Sequence, residues 1–188
     1  MNCIPYKGAK LQDITQIFWN TQPDGNPHTG LDWCPLNAWA TKLVAPVNGI
    51  VLDIRTDTNF YDEFWASFQR GYGIVIKGDD GFFYLYWHCI QVFPVYIGQR
   101  VEMGKTVIAQ MGNSGLCYAK GVEPKPEDKI KPPYPGTHLH QEKFVFDASY
   151  NKIYYDPLAS TDFSIPIQLD MNYYFKTIIA NMIKLLKS

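Results

Sequence analysis

Apolar and polar residues alternate along several stretches of the chain in the way that strands with one buried face require. Ile50, Leu52 and Ile54 recur at every second position after a Pro-containing turn. Residues 71–77 and 82–88 are rich in β-branched and aromatic side chains, and the turn sequence Gly-Asp-Asp-Gly at 78–81 joins them. The pattern predicts a β-hairpin in the middle of the chain.

A second pattern has a period of three, with valine and glycine alternating from Val95 to Val107. Neither a helix nor a regular strand has this spacing, so it predicts short strands separated by glycine turns. Residues 118–136 hold five prolines and mixed charge, and this length predicts a functional or a mobile loop. Residues 1–27 show no clear period and are expected to be irregular.

Only two segments have a helical period. Phe60, Phe64 and Phe68 are four residues apart and predict a short helix within 56–70. The tail from Asp170 to Ser188 carries a broad apolar stripe, which predicts a helix that packs on the domain. The alternatives are an oligomer contact or an anchor to a larger assembly. The expected fold class is therefore mainly β, a compact antiparallel sheet or sandwich-like domain with long loops, a short helical insert and a C-terminal helix.

Composition narrows the possible functions. The 188 residues carry a net charge of −1 without a basic stripe, which argues against nucleic acid as the main partner. No run of 18 apolar residues suggests a membrane span, and the first residues do not resemble a secretory signal. The four cysteines contain no C-x-x-C pair, so a structural zinc knot is not expected and disulfide pairing stays open.

The four histidines fall in three separated segments. His138 and His140 lie two residues apart before an apolar run, so in a strand they project from one face with Cα atoms about 6.6–6.8 Å apart. His28 and Asp32 lie four apart, which puts them on one face of either a strand or a helix. His88 ends the aromatic strand and is expected to share a face with the tyrosines two and four residues before it.

Together these segments supply the donors of a catalytic zinc site, which uses three protein ligands and keeps a fourth position for water. His28, Asp32 and one of His138 and His140 are the candidates, and two histidines remain for proton transfer. The chain has no H-E-x-x-H, so the helix-borne glutamate of the common zinc proteases is absent.

The order of these motifs resembles the lysostaphin-type zinc metallopeptidases, a family of peptidoglycan endopeptidases that includes phage lysins and tail proteins. The resemblance spans residues 28–158, and Gln141 stands where an aromatic residue is usual. The similar segments, in chain order, are His28-Thr29-Gly30-Leu31-Asp32, Ala45-Pro46-Val47-Asn48-Gly49-Ile50-Val51, Gly71-Tyr72-Gly73, Tyr86-Trp87-His88, Gly98-Gln99-Arg100-Val101, Gly112-Asn113-Ser114-Gly115, Gly136-Thr137-His138-Leu139-His140 and Asp156-Pro157.

The resemblance implies a zinc metallopeptidase domain over residues 1–160, with its core at 28–158, and a C-terminal extension over 161–188. It implies one zinc ion per chain, bound by His28, Asp32 and His140, with His138 and His88 as the catalytic pair. The implied substrate is a peptide of bacterial peptidoglycan. A wall substrate without a visible signal peptide predicts a phage or virion-associated enzyme, delivered by the particle or released at lysis.

Two other classes of protein are compatible with parts of the sequence. One is a non-catalytic module on the same fold that binds peptidoglycan or activates a partner. The other is a biotinyl or lipoyl carrier, which the Ala-Pro-x-x-Gly-x-Val strand also resembles. A carrier needs an exposed lysine at a hairpin tip before the Gly-x-x-Val segment, and residues 86–90 contain none.

Overall fold

The computed structural model describes residues 2–22, 25–56 and 71–164. Almost all regular structure in these ranges is β, as the alternation predicted. The helix predicted within 56–70 and the helical tail from Asp170 to Ser188 lie outside the described residues, apart from Thr56. The strands are β1 (Asn2–Cys3), β2 (Ile14–Gln16), β3 (Gly30–Trp33), β4 (Lys42–Val44), β5 (Gly49–Arg55), β6 (Tyr72–Gly78), β7 (Phe83–Cys89), β8 (Arg100–Val101), β9 (Val107–Gln110), β10 (Leu139–Phe146), β11 (Lys152–Tyr155) and β12 (Thr161–Asp162).

Helical structure is confined to short turns in the described part of the chain. The long proline-rich loop contains the single-turn helix α1, Pro126–Lys129, and two 3-10 helices span Leu11–Asp13 and Leu158–Ser160. None of the helices in the described ranges is long and apolar enough to cross a membrane.

The main sheet has eight strands in the order β2-β3-β10-β7-β6-β5-β8, and β11 also pairs with β10 beyond the end of β3. All of its pairs are antiparallel. The hairpin predicted around residues 78–81 joins β6 to β7, which confirms that prediction. The 1–27 segment is more regular than predicted, because β2 forms the edge of the main sheet and β1 pairs in parallel with β12.

The two faces of the main sheet pack against different groups of side chains. One face packs on a two-stranded layer, β4 and β9, so the domain is sandwich-like as predicted. The main core lies between these layers, and its largest fully buried side chains include Trp33, Tyr84 and Tyr86. The opposite face carries a smaller apolar cluster built around Trp87 and Phe144.

Strand β10 contributes side chains to both of these environments. Its alternation sends Leu139 into the main core, whereas His140 and Phe144 belong to the opposite face. Gln141, which stands where the resembling family has an aromatic residue, is also on the core side. Its Oε1 accepts a hydrogen bond of 2.9 Å from the indole nitrogen of Trp33, so this departure affects packing.

The close approach of β3 to β10 requires a glycine at position 30. Gly30 pairs with Glu142, and a Cβ atom on Gly30 would overlap the carbonyl oxygen of Gln141. The same Cβ would lie 3.2 Å from the Cε1 atom of His140. A side chain at this position must therefore separate the two strands that carry the histidine and aspartate motifs.

Replacing Gly30 with alanine is expected to lower the free energy of unfolding by about 1–3 kcal/mol, the usual cost of overpacking a close contact. Urea denaturation of the two proteins would measure this change. The control is Gly81→Ala, because Gly81 has a φ of 88° and no atoms near the added methyl group. That variant should lose about 1–2 kcal/mol through backbone strain alone. An unchanged free energy of unfolding in Gly30→Ala would contradict the requirement for glycine at this contact.

Candidate metal centre

Three side chains from the His28 and His140 segments meet at one point. The Nε2 atom of His28 lies 3.1 Å from Oδ1 of Asp32 and 3.0 Å from Nδ1 of His140. The Nδ1 atom of His140 lies 2.9 Å from the same Asp32 oxygen. The three donor atoms thus form a nearly equilateral triangle.

This triangle has the size that a tetrahedral zinc ion requires. With zinc–nitrogen and zinc–oxygen distances of about 2.0–2.2 Å, neighbouring ligand atoms are about 3.3–3.5 Å apart. Two imidazoles and a carboxylate are also a donor set that zinc prefers over calcium or magnesium. The residues present therefore fit a zinc ion with a small outward movement of each side chain.

Strand pairing explains why these residues meet. Asp32 on β3 and His140 on β10 are direct cross-strand partners, so their side chains leave the sheet side by side on the same face. His28 precedes β3 and is only 3% exposed. The carbonyl oxygen of Ile17 accepts a hydrogen bond from its Nδ1 at 3.0 Å, which leaves the lone pair of Nε2 directed at the other two donors.

Glu142 contacts the His140 ring on the side away from the triangle, through Nε2. The sequence motifs assigned it no role. Its Oε1 accepts hydrogen bonds from Nε2 of His140 at 3.2 Å and from the hydroxyl of Thr29 at 2.7 Å. The Nζ atom of Lys152 lies 3.9 Å from Oε2 of the same carboxylate. The signal in the sequence was the spacing, because residues 140 and 142 of one strand share a face.

The charges of this cluster are strongly coupled. Burial acts to raise the pKa of Asp32, but the hydrogen bond from His140, the contact with His28 and the positive charge of His140 hold it well below its usual value. Burial acts to lower the pKa of His140, but the carboxylates of Asp32 and Glu142 raise it to about 9. In the metal-free protein His140 is therefore an imidazolium that donates from both ring nitrogens.

His138 lies beside this triangle without belonging to it. It precedes β10 and donates from Nδ1 to the carbonyl oxygen of Gly136 at 2.8 Å. Its Nε2 atom lies 3.8 Å from Oδ2 of Asp32, the oxygen that does not face His140. Burial lowers the pKa of His138, although the Asp32 carboxylate opposes the shift, so the ring is neutral near pH 7 with a lone pair on Nε2.

His88 also faces this group, which corrects the expectation that it shares a face with Tyr84 and Tyr86. Those two tyrosines lie in the main core, as does Cys89. His88 has a φ of 61°, and the register between β6 and β7 contains one extra residue at this point. Such a bulge breaks the alternation of the strand and redirects a side chain, and the His88 ring lies 4.5 Å from that of His138.

Ser114 holds the bulge in position. Its carbonyl oxygen accepts a 2.8 Å hydrogen bond from Nδ1 of His88, and its hydroxyl donates to the carbonyl oxygen of Cys89. The same hydroxyl accepts a bond from the backbone amide of Tyr72 on β6. Burial and the neighbouring imidazoles keep the pKa of His88 well below its usual value, so its Nε2 also carries a lone pair.

All four histidines open onto one cleft of about 840 Å³. Its lining includes Thr15 and Gln16 of edge strand β2 and residues 118–121 of the proline-rich loop. The loop therefore walls the cleft, which is one of the two roles the sequence allowed. The structure brings together every predicted site residue: His28, Asp32, His88, His138 and His140.

Glu142→Gln is expected to weaken zinc binding about 10–100-fold, the usual effect of losing a group that orients a histidine ligand. The amide can still accept from Nε2 of His140, but it no longer supplies a negative charge. Competition with a chromophoric chelator would measure the affinity. The control is Glu102→Gln, because Glu102 is exposed and pairs with Lys105 instead. Equal affinities in all three proteins would show that Glu142 does not support the site.

Zinc binding to the metal-free protein is expected to release about one proton near pH 7.5. The pKa of His140 is about 9, so its ring is protonated at this pH and must lose the proton on Nδ1 before that atom can bind zinc. Apparent zinc affinity should then rise about tenfold per pH unit up to about pH 9 and level off above it. Calorimetry in buffers with different ionisation enthalpies counts the protons. Proton release that is absent at pH 7.5 would contradict the high pKa of His140.

Known proteins were compared with the chain at the level of sequence and of structure. A scan of the sequence against family models gives no match, and a search of curated proteins gives none either. The fold, in contrast, matches 34 chains of solved structures, and LytM/M23 peptidase domains are among them.

Three of these structures illustrate the likeness. LytU is 24% identical with a TM-score of 0.54, over 81% of this chain and 83% of that chain. A zinc-containing peptidase from Vibrio cholerae is 21% identical with a TM-score of 0.53, over 80% of this chain but only 37% of that one. A chain of the SpoIIQ–SpoIIIAH pore-forming complex is 16% identical with a TM-score of 0.55, over 86% and 90%.

At these identities the likeness concerns the fold and does not extend to activity. The antiparallel sheet, the order of its motifs and the matching solved structures agree with the resemblance read from the sequence. The chain has the fold of the lysostaphin-type, or M23, zinc metallopeptidases.

Proposed function

We propose that this protein is a zinc-dependent endopeptidase that hydrolyses peptide bonds of bacterial peptidoglycan. The observation that carries the proposal is the convergence of a His-Asp-His triangle and two further histidines in one cleft. A structural zinc site is closed by four protein ligands, whereas a catalytic site has three and leaves one position for water. The triangle of His28, Asp32 and His140 supplies three protein ligands, the number found in catalytic zinc sites.

Zinc would supply Lewis acidity there, polarising the scissile carbonyl and lowering the pKa of water toward about 7. His28, Asp32 and His140 would hold the ion, and Glu142 would keep His140 in the correct tautomer. The remaining chemistry falls to His138 and His88.

His138 is the better candidate for the general base. A carbonyl oxygen can only accept, so the hydrogen bond to Gly136 requires the proton on Nδ1 and leaves Nε2 free to take a proton from water. The Asp32 carboxylate oxygen 3.8 Å away would stabilise the imidazolium that forms. An imidazole that is neutral at pH 7 suits proton abstraction.

His88 has the same tautomer for the same reason, since the carbonyl oxygen of Ser114 accepts from its Nδ1. Its neutral Nε2 can orient the attacking water by accepting one hydrogen bond. It can stabilise an oxyanion only after it gains a proton on Nε2. The geometry therefore favours the water-orienting role at the start of the reaction.

The cleft has a volume of about 840 Å³, within the range of about 300–1,000 Å³ that ligand pockets commonly have, so it can admit part of a peptide. The choice of peptidoglycan rests on the resemblance and on the shared fold. It implies action on the bacterial cell wall outside the cytoplasm. Association with a phage or virion stays a prediction of the sequence.

His138→Ala and His88→Ala are each expected to keep one zinc per chain and to lose about 10²–10³-fold or more in rate, the usual cost of removing a group that stabilises the transition state. Asp32→Ala should instead lose the zinc. Release of new amine termini from purified peptidoglycan would report the rate, and atomic absorption would report the metal. Glu102→Gln is the control, because Glu102 is exposed, pairs with Lys105 and does not line the cleft.

Two results would count against the proposal in different ways. Undiminished hydrolysis by both histidine variants would remove them from the mechanism. One zinc per chain without cleavage of several wall types would favour the non-catalytic module, which binds peptidoglycan or a partner on the same fold.

A further inference from the structure

Cys117 lies next to the two histidines that the zinc triangle does not use. The ligand atoms of His88, Cys117 and His138 all lie within 4.8 Å of one another. Cys117 is fully buried, and its Sγ atom lies 3.4 Å from the carbonyl oxygen of Ser114. The backbone group that holds His88 therefore holds this thiol as well.

Each ring of this second group keeps one nitrogen lone pair for a metal. The Nδ1 atoms of His88 and His138 both donate to backbone carbonyl oxygens, so both Nε2 atoms remain as ligand atoms. Neither ring is free to turn without breaking its hydrogen bond to Ser114 or Gly136. Two fixed imidazoles and a thiol are a donor set for zinc, cobalt or copper and a poor one for magnesium or calcium.

Asp32 connects this group with the first triangle. Its Oδ1 faces His28 and His140, and its Oδ2 lies 3.8 Å from Nε2 of His138. A carboxylate with one oxygen toward each of two donor sets can bridge two cations, and bridged metal pairs in hydrolases are about 3.5–4 Å apart. The repulsion between two such cations is reduced by the shared negative charge.

We propose that His88, Cys117 and His138 form a second site for a divalent transition metal such as zinc, adjacent to the first and sharing Asp32 with it. On binding, the Cys117 thiol gives its proton to solvent and the sulfur coordinates as a thiolate. Both Nε2 lone pairs are then occupied by the metal. The second metal site itself does not depend on the proposed function. Its expected effect, the inhibition of hydrolysis by the second ion, does rest on the proposed function.

Cobalt distinguishes the two sites by spectroscopy, because the triangle of His28, Asp32 and His140 contains no sulfur. We therefore expect that titration of metal-free protein with Co²⁺, in the presence of a reductant, produces a thiolate-to-cobalt charge-transfer band and reaches two ions per chain. In Cys117→Ala the band should disappear. The affinity for the second ion should fall at least about 10–100-fold, as it does when even a supporting group is lost.

Cys34→Ala is the matched control, because Cys34 lines the same cleft and donates from Sγ to the carbonyl oxygen of Thr137. That variant should keep both the band and the second ion. Cys117→Ser, which nearly preserves volume, should also lose the band, and its melting temperature would show that the domain is folded. A band that survives in Cys117→Ala, or two bound ions without a band, would overturn the proposal.

The inhibitory consequence is measured as the ratio of hydrolysis with two equivalents of zinc to hydrolysis with one, within each variant. We expect the ratio to be well below one in the wild type and close to one in Cys117→Ala. A wild-type ratio at or above one would overturn inhibition. A cobalt–thiolate band in a protein that cleaves no wall would show that the metal site is real and that the endopeptidase proposal has failed.

Discussion

The pairing of β3 with β10 is the interaction on which the candidate site depends. It sets Asp32 directly opposite His140, so that two donors separated by 108 positions leave the sheet as neighbours. A slip of one residue would send His140 to the main core and Leu139 to the cleft. The register is held by Gly30, which allows the strands to approach closely, and by the burial of Leu139 and Gln141 on the other face.

The site lies on the polar part of a sheet face that is otherwise apolar. Beyond His140, the same face of β10 carries Glu142 and then Phe144 within the Trp87 cluster. The buried charge of Glu142 is tolerated because it is paired. Its carboxylate accepts hydrogen bonds from Thr29 and His140 and forms an ion pair with Lys152. A fully buried glutamate is costly without such partners, so its presence favours a role in orienting His140.

A distortion of the backbone at His88 also positions the candidate site. His88 adopts a left-handed conformation that non-glycine residues rarely take, and such conformations collect at functional sites. Ser114 stabilises it through bonds to His88, Cys89 and Tyr72. The same serine carbonyl contacts Cys117, so one residue links His88 to the thiol of the proposed second metal site.

The alternation of apolar residues determined the mainly β architecture, and the spacing of the histidine motifs determined which side chains could meet. These features are local, because strand period, turn residues and paired donors are written in short stretches of sequence. Two other features came only from the tertiary structure: the redirected side chain of His88 and the approach of Cys117 to His88 and His138. Each depends on contacts between distant segments or on a bulge that interrupts the strand period, and no local pattern encodes those.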